Sequence, residues 1–296
     1  MTFITALAEH GFLQLALAAG LVSAVGCGVV GTLVVVKRMT FMAGGVAHAV
    51  LGGIGVAVLL ERPPLAGAAL AAVIAALLIG WIGLRARQRE DMLVGAVWAC
   101  GMAIGILAIA ATPGYANDLM SYLLGNLLMV TREQVIGMTA LDALMVGLLA
   151  ALYRPVVAVA FDEEFARLRG LPTTALHLAL LVVVAFAVVV LVHTVGLVLV
   201  MALLTLPAAT ALLFGGTLAR LMAVATLVAA AVIVAGLGVA FEADVPAGAT
   251  IVLIAALVYL FALGLARLLA RWRAAHATAG TDAERELAAA RVGEGR

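Results

Sequence analysis

The chain has 296 residues, of which 66% are hydrophobic and only 11% are charged. So few charges cannot cover a water-soluble globule of this size, and the apolar runs repeatedly reach the about 20 residues that a helix needs to cross a bilayer. The composition therefore excludes a soluble globular domain and predicts an integral membrane protein. The formal net charge of +1 gives no reason to expect a nucleic-acid partner.

The apolar runs predict nine membrane-spanning helices. They cover residues 11–36, 41–60, 64–84, 92–112, 133–153, 174–194, 196–214, 218–240 and 248–270. We assign each run to a helix, despite many β-branched valines, because a helix satisfies its own backbone hydrogen bonds in lipid. The predicted fold class is therefore all-α, a polytopic helical bundle. Residues 1–273 would form the membrane domain and 274–296 a flexible cytoplasmic tail.

The charges in the connecting segments predict that the N-terminus lies outside and the C-terminus inside. With that orientation the outer segments contain only Arg62 and Arg132. The inner segments and the last membrane exit contain twelve cations, namely Lys37, Arg38, Arg85, Arg87, Arg89, Arg154, Arg167, Arg169, Arg220, Arg267, Arg271 and Arg273. Positive charge accumulates on the cytoplasmic side of membrane proteins, and an even number of spans would break this bias in one half of the chain.

The second predicted span begins with the stretch "MTFMAGGVAHAVLGG", residues 39–53, which contains a single histidine, His48. Two interpretations are open from these residues alone. The imidazole is either a polar group bonded to a neighbouring helix, or a ligand on a transport route, since neutral imidazole binds transition metals. The glycines of this stretch permit close approach of another helix.

Residues 113–131, "PGYANDLMSYLLGNLLMVT", do not fit an ordinary loop. The apolar middle is about a dozen residues long, which is too short to cross a bilayer. The segment is therefore predicted to form a re-entrant or interfacial helix on the outer side. Such a helix either lines an external vestibule or packs on the membrane surface.

A second short helix is predicted at about residues 161–170, in the segment "FDEEFARLRGLP". Asp162 is suited to cap its first turn, Glu163 and Glu164 suit the positive end of the helix dipole, and Arg167 suits the negative end. Gly170 is suited to end it. This helix either joins two spans or docks a cytoplasmic partner.

One carboxylate, Asp142, lies clearly within a predicted span. An ion-coupled secondary transporter is the alternative class, but such proteins commonly use several intramembrane ionisable groups. The scarcity of such groups here counts against that alternative. An intramembrane enzyme has no support, because the chain contains no HExxH motif and no nucleophile and base at a recognisable spacing.

Five segments of the chain resemble, in order and spacing, the metal-cation ABC transporter permeases of the zinc and manganese uptake family. The segments are "VVKRMTFMAGGVAHAVLGGIGVAVLL", "NDLMSYLLGNLLMVT", "FDEEFARLRGLP", "VGLVLVMALLTLPAATALLF" and "ADVPAGATIVL". The resemblance covers roughly residues 10–272. It implies a homodimer in the bacterial inner membrane that receives a divalent metal ion from an extracytoplasmic solute-binding protein.

The resemblance also implies that separate cytoplasmic ATP-binding subunits drive transport. The chain contains no GxxxxGK[ST] phosphate-binding loop, so ATP must be hydrolysed by a partner and the chain itself is not expected to be an enzyme. No bound cofactor is expected, since the metal is the substrate. In this context the helix at 161–170 is interpreted as the docking site, with the residues Asp162, Glu163, Glu164, Arg167 and Gly170.

Members of this family usually carry an aspartate four residues before the histidine of the second span, where this chain has Gly44. The resemblance implies that His48 is a transient metal ligand, and two copies would meet near a dimer axis where Gly44, Gly45, Gly52 and Gly53 let the helices approach. Without the carboxylate, neutral imidazole favours zinc over manganese or iron, which stay as alternatives. Two further candidates on the outer side of the metal pathway are Asp118 and His193.

Overall fold

The computed structural model describes residues 3–86, 90–112 and 127–293. The first half of the described chain contains α1 (Phe3–Glu9), α2 (Gly11–Val36), α3 (Thr40–Leu59), α4 (Pro64–Ala86), α5 (Glu90–Ala110) and a 3-10 turn (Leu127–Met129). The second half contains α6 (Arg132–Ala151), α7 (Tyr153–Phe161), α8 (Glu163–Leu168), α9 (Thr173–Val195), α10 (Leu197–Leu212), α11 (Leu218–Ala243) and α12 (Ala247–Gly293). The predicted all-α membrane bundle is confirmed.

Eight of the described helices are long and apolar enough to cross a membrane, namely α2, α3, α4, α5, α6, α9, α11 and α12. The remaining predicted span, 196–214, corresponds to α10, which has 16 residues. At 1.5 Å per residue such a helix is about 24 Å long, shorter than the roughly 30 Å of a bilayer's hydrocarbon core. That α10 crosses, and that the N-terminus lies outside, therefore stay predictions.

The spans form two packed groups. α2 packs against α11, α10 and α6, and α10 and α11 in turn pack against α12. α3 packs chiefly against α5 and α4. α9 contacts α4, α3 and α2 and so connects the two groups, whereas α2 and α3 touch little beyond their shared turn. His48 consequently lies in the smaller group, on α3.

The glycines of α3 allow close packing against other helices of the same chain. A Cβ atom on Gly45 would lie 2.5 Å from Val94 Cγ1, and one on Gly52 would lie 2.7 Å from the carbonyl oxygen of Gly101. Gly53 packs closely against the backbone of Gly67 in α4. The expectation that these glycines face a second copy at a dimer seam is therefore wrong, because α4 and α5 of the same chain occupy that space.

The short helix α7 was not predicted from the sequence. It begins directly after α6, with only Leu152 between the two helices. Pro155 has no N–H to donate to the carbonyl of Ala151, so the backbone cannot continue as one uninterrupted helix. The buried side chains of Val156 and Val159 hold α7 against the bundle.

The last helix continues past residue 273, where the sequence predicts a loose tail. The backbone of α12 is helical through Gly293. This extension contains the run "AERELAAAR", whose alanine, leucine, glutamate and arginine residues have high helix propensity. The boundary of the membrane domain at residue 273 stays a prediction.

Candidate functional site

The imidazole of His48 is held in a defined orientation. Nδ1 lies 2.8 Å from the carbonyl oxygen of Gly44, one helical turn earlier. The ring stacks on that of Trp98 of α5, with 3.9 Å between centroids and 21° between planes. A carbonyl oxygen only accepts hydrogen bonds, so Nδ1 carries the proton and Nε2 presents its lone pair. The second nitrogen is thus prepared to bind a metal ion.

The space beside Gly44 is filled by a side chain from another helix. A Cβ at position 44 would lie 2.7 Å from Cε and 3.2 Å from Sδ of Met201 in α10, and 3.8 Å from the ring of Trp98. Trp98 is fixed in turn, because its Nε1 donates a hydrogen bond to Sδ of Met102 at 3.3 Å. His48 therefore stacks on an indole that is itself bonded to the thioether of Met102, and the thioether of Met201 fills the position beside Gly44. These neighbours lie on α5 and α10, so local sequence patterns on α3 did not predict them.

The structure does not describe the side chains of the other candidates on the predicted pathway. Asp118 lies outside the described residues, and His193 lies in α9 with a side chain that the structure does not describe. Across the described ranges, no three histidine, cysteine, aspartate or glutamate side chains form a group that could hold a metal ion. A transient ligand, as predicted for His48, needs no such resident site.

Asp142 is 5% exposed and faces Gly26 of α2, where a Cβ would lie 2.7 Å from Oδ1. Among the residues described, neither Asp142 Oδ2 nor the buried Oγ of Ser23 has a hydrogen-bond partner. These groups lie between α2 and α6, apart from the α3–α5 interface that holds His48. Asp142 therefore does not replace the carboxylate that is absent at Gly44.

A groove of about 630 Å³ runs between α3, α4 and α5. Its described lining is apolar or small apart from Arg62 and Cys100, and it contains neither carboxylate nor imidazole. Such a lining suits hydrocarbon and offers no oxygen or nitrogen side-chain ligand to a cation. The groove is therefore not the candidate metal site.

The predicted docking helix is present as α8, Glu163–Leu168, within the predicted range. Asp162 caps it, because Oδ1 accepts a hydrogen bond from Phe165 N at 2.9 Å. Arg167 and Glu163 form an i,i+4 pair at 3.5 Å. Gly170 follows with a φ of 78°, a left-handed conformation that glycine adopts without strain.

Lys37, at the end of α2, connects α7 and α8 to the turn that leads into α3. Its Nζ donates a hydrogen bond to the carbonyl oxygen of Val159 at 3.0 Å and lies 3.9 Å from Oε2 of Glu163. Glu163 therefore bonds both to Lys37 and to Arg167, whereas Glu164 and the other face of Arg167 are open to solvent or a partner. A displacement of α8 would act on Lys37 and so on the start of the helix that carries His48.

Three large apolar side chains near α8 are exposed. Phe161 is 63% exposed, Phe165 48% and Leu168 87%. Phe165 and Leu168 are three residues apart and share one side of α8, and Phe161 ends α7 next to the capping residue Asp162; we call these three side chains the α8 apolar face. The sequence prediction rested on the charges of this segment, although its large apolar residues were also a readable signal. Exposed apolar groups rimmed by charge are typical of an interaction surface.

The model of the ABC 3 transport family matches residues 9–266. A Chlamydia pneumoniae protein named a probable metal transport system membrane protein is 34% identical over 81% of this chain and 84% of its own length. A manganese transport system membrane protein of Halalkalibacterium halodurans is 31% identical over 88% and 89%. The solved PsaBC complex of Streptococcus pneumoniae with Fab contains a chain with 29% identity and a TM-score of 0.80, covering 88% of this chain and 94% of that one.

The family match spans nearly the whole membrane bundle, including α3, α8 and α10. A match to a family of ABC transporters argues against the alternative of an ion-coupled secondary transporter. A permease subunit of such a transporter is a transport component and has no catalytic role of its own. The relatives agree with a multi-span membrane location. The chain therefore belongs to the ABC 3 transport family and is a permease subunit for metal transport.

Proposed function

We propose that this permease imports a divalent metal ion, zinc, along a route that passes His48. The observation that carries the proposal is the orientation of the imidazole, whose Nδ1 is committed to Gly44 while Nε2 keeps its lone pair. Zinc binds neutral imidazole well, whereas manganese prefers carboxylate and carbonyl oxygens. The described residues contain no cluster of three or more histidine, cysteine, aspartate or glutamate side chains, and position 44, where the family usually has its aspartate, is a glycine.

Manganese is the second candidate. The Halalkalibacterium relative is named for manganese transport, and its identity to this chain extends over most of both sequences. Iron is a further alternative within the same class of importer. The choice among these metals depends on the ligands around His48, because ligand chemistry distinguishes them.

We further propose that the permease works as a homodimer with cytoplasmic ATP-binding subunits and an extracytoplasmic solute-binding protein. The α8 apolar face has the chemistry of a docking surface, and Glu164 and Arg167 provide charges at its edge. The bond from Lys37 to Val159 would transmit movement of the docked subunit to the turn before α3. Alternating access would then expose His48 to one side of the membrane at a time.

Metal accumulation tests the proposal in cells that lack their own zinc and manganese importers. The permease is expressed with its ATP-binding and solute-binding partners, and zinc, manganese and iron contents are compared. We expect zinc to rise at least tenfold more than manganese. Selective accumulation of manganese would overturn zinc as substrate, and accumulation of none of the three metals would overturn metal import.

A further inference from the structure

Met201 brings a sulfur atom to the side of α3 that carries His48. Its Sδ lies 3.2 Å from the point where a Cβ of residue 44 would be, and residue 44 is the one whose carbonyl holds the imidazole. Residues four apart share a helix face, so Met201 packs on the face of α3 that carries His48. Trp98 packs on the same face, because its ring contacts the position beside Gly44 and stacks on His48.

The donor atoms of Met201 and His48 are soft or borderline ligands. A thioether is a soft ligand and neutral imidazole is borderline, whereas manganese and magnesium sites are built from oxygen. Both donors are uncharged, so the pair gives a hard cation neither an anionic oxygen nor a strong electrostatic attraction. Met201 is only partly buried.

We infer that Nε2 of His48 and Sδ of Met201 together form a nitrogen–sulfur site for a d10 metal cation, Zn²⁺ or the softer Cu⁺, and that Met201 sets the selectivity of the route. The inference rests on the proposed function, in which His48 lies on that route. Gly44 is part of the same arrangement. Its missing side chain leaves the room that the end of Met201 occupies, so a carboxylate at position 44 and the sulfur exclude one another.

The alternative explanation is that Met201 fills a gap between α3 and α10, as flexible methionines often do. The two explanations differ in what a leucine would do. Leucine keeps the volume and apolar character of methionine and usually changes stability little, but it has no sulfur. A packing role would survive Met201→Leu, whereas a ligand role would not.

The test uses the full permease reconstituted in proteoliposomes with its ATP-binding subunits and solute-binding protein. ATP-dependent uptake of Zn²⁺, Cd²⁺ and Mn²⁺ is measured at limiting metal, and Cu⁺ is supplied in a separate arm under reducing conditions. Cd²⁺ serves as a softer divalent probe of the same d10 class. Met222→Leu is the matched control, since Met222 is a partly buried methionine of α11, away from α3.

We expect Met201→Leu to lower the ratio of Cd²⁺ to Mn²⁺ uptake at least tenfold, and Met222→Leu to leave it unchanged. Gly44→Asp should displace the flexible end of Met201 and raise Mn²⁺ relative to Zn²⁺ uptake at least tenfold. Uptake of Cu⁺ exceeding that of Zn²⁺ would assign the monovalent ion, and the reverse the divalent one. Either assignment keeps the nitrogen–sulfur site only together with the fall in the Cd²⁺ to Mn²⁺ ratio in Met201→Leu, and assignment of Cu⁺ would overturn zinc as the proposed substrate.

Equal uptake ratios for Met201→Leu, Met222→Leu and the unmodified chain would overturn the site and leave Met201 as a packing residue. In that case loss of transport in His48→Ala would still support the proposed route through His48. Absence of any metal uptake by the unmodified chain would instead overturn the proposed function itself. The two failures are therefore distinguishable in one set of vesicles.

Discussion

At the scale of single residues, a buried carboxyl group determines which side chain α2 can carry at its midpoint. Asp142 is packed so closely on Gly26 that a Cβ there would lie 2.7 Å from Oδ1 and 3.0 Å from Oδ2. An ionisable side chain is costly to expose to lipid and usually faces the interior of the helical bundle. Asp142 follows this rule, because it is buried between two helices. Gly26 is therefore the residue that makes room for it.

Gly26→Ala should destabilise the permease by about 1–3 kcal/mol, the usual cost of overpacking a core. The measurement is thermal unfolding in detergent. Gly95→Ala is the control, because a Cβ on Gly95 of α5 meets nothing within 4 Å. Equal melting temperatures for the two variants would show that the carboxyl group moves away without loss.

The sequence identifies His48 as a candidate ligand and Gly44 as its partner position, but it does not reveal Trp98 or Met201. Local spacing on one helix places residues 44 and 48 on a common face. The indole of Trp98 and the thioether of Met201 belong to α5 and α10, about 50 and 150 residues further along the chain. Such contacts depend on how helices pack, which periodicity in one segment does not encode.

At the scale of elements, the short helices α7 and α8 both contact Lys37, which lies in the turn between α2 and α3. The cap and the end of α8 were predictable, because Asp162 and Gly170 act through local backbone chemistry. The existence of α7 and the role of Lys37 were not, since the hydrogen bond joins residues 122 positions apart. Together with the ion pair between Lys37 and Glu163, this bond joins α7 and the proposed docking helix α8 to the turn before α3.

Lys37→Met should uncouple ATP hydrolysis from transport. Methionine keeps an apolar stem but removes the hydrogen bond to Val159 and the charge beside Glu163. We expect metal uptake per ATP hydrolysed to fall at least fivefold while the ATP-binding subunit still copurifies. Arg271→Met, at an exposed position of α12, is the control. An unchanged ratio of metal uptake to ATP hydrolysis in Lys37→Met would contradict a role of this bond in coupling.

Leu168→Ala should weaken binding of the ATP-binding subunit at least tenfold, as truncation of a central interface residue commonly costs more than about 1.4 kcal/mol. Binding of the purified subunit to the permease in nanodiscs measures the effect. Leu227→Ala is matched in exposure, since Leu227 is 70% exposed on α11, far from α8 in sequence. Equal affinities for both variants would argue against the α8 apolar face as the docking surface.

At the scale of the whole molecule, the number of crossings depends on α10. This helix is connected to α9 through Gly196 alone, whose φ of 80° makes the turn. The apolar pattern predicts the spans well, because lipid demands long apolar helices. It does not decide whether a helix of 16 residues crosses or ends within the bilayer. With eight crossings instead of nine, both chain termini would lie on the same side.

Cysteine labelling decides between eight and nine crossings. In a chain whose own Cys27 and Cys100 are replaced, single cysteines at Pro63 and Ala247 should react with an impermeant reagent in intact cells. A cysteine at Gly216 should react only after permeabilisation, because α10 and α11 would meet on the inner side. Reaction at Gly216 in intact cells would contradict the crossing of α10.

The most direct test of the account is ATP-driven zinc uptake into proteoliposomes containing either the unmodified permease or His48→Ala. The imidazole is half-buried and uncharged, so its removal leaves a small void and no unpaired charge, and the complex should assemble normally. We predict that the variant retains its ATP-binding subunit but transports zinc at less than one tenth of the unmodified rate. Uptake at the unmodified rate would contradict the account, because the metal would then cross the membrane without His48.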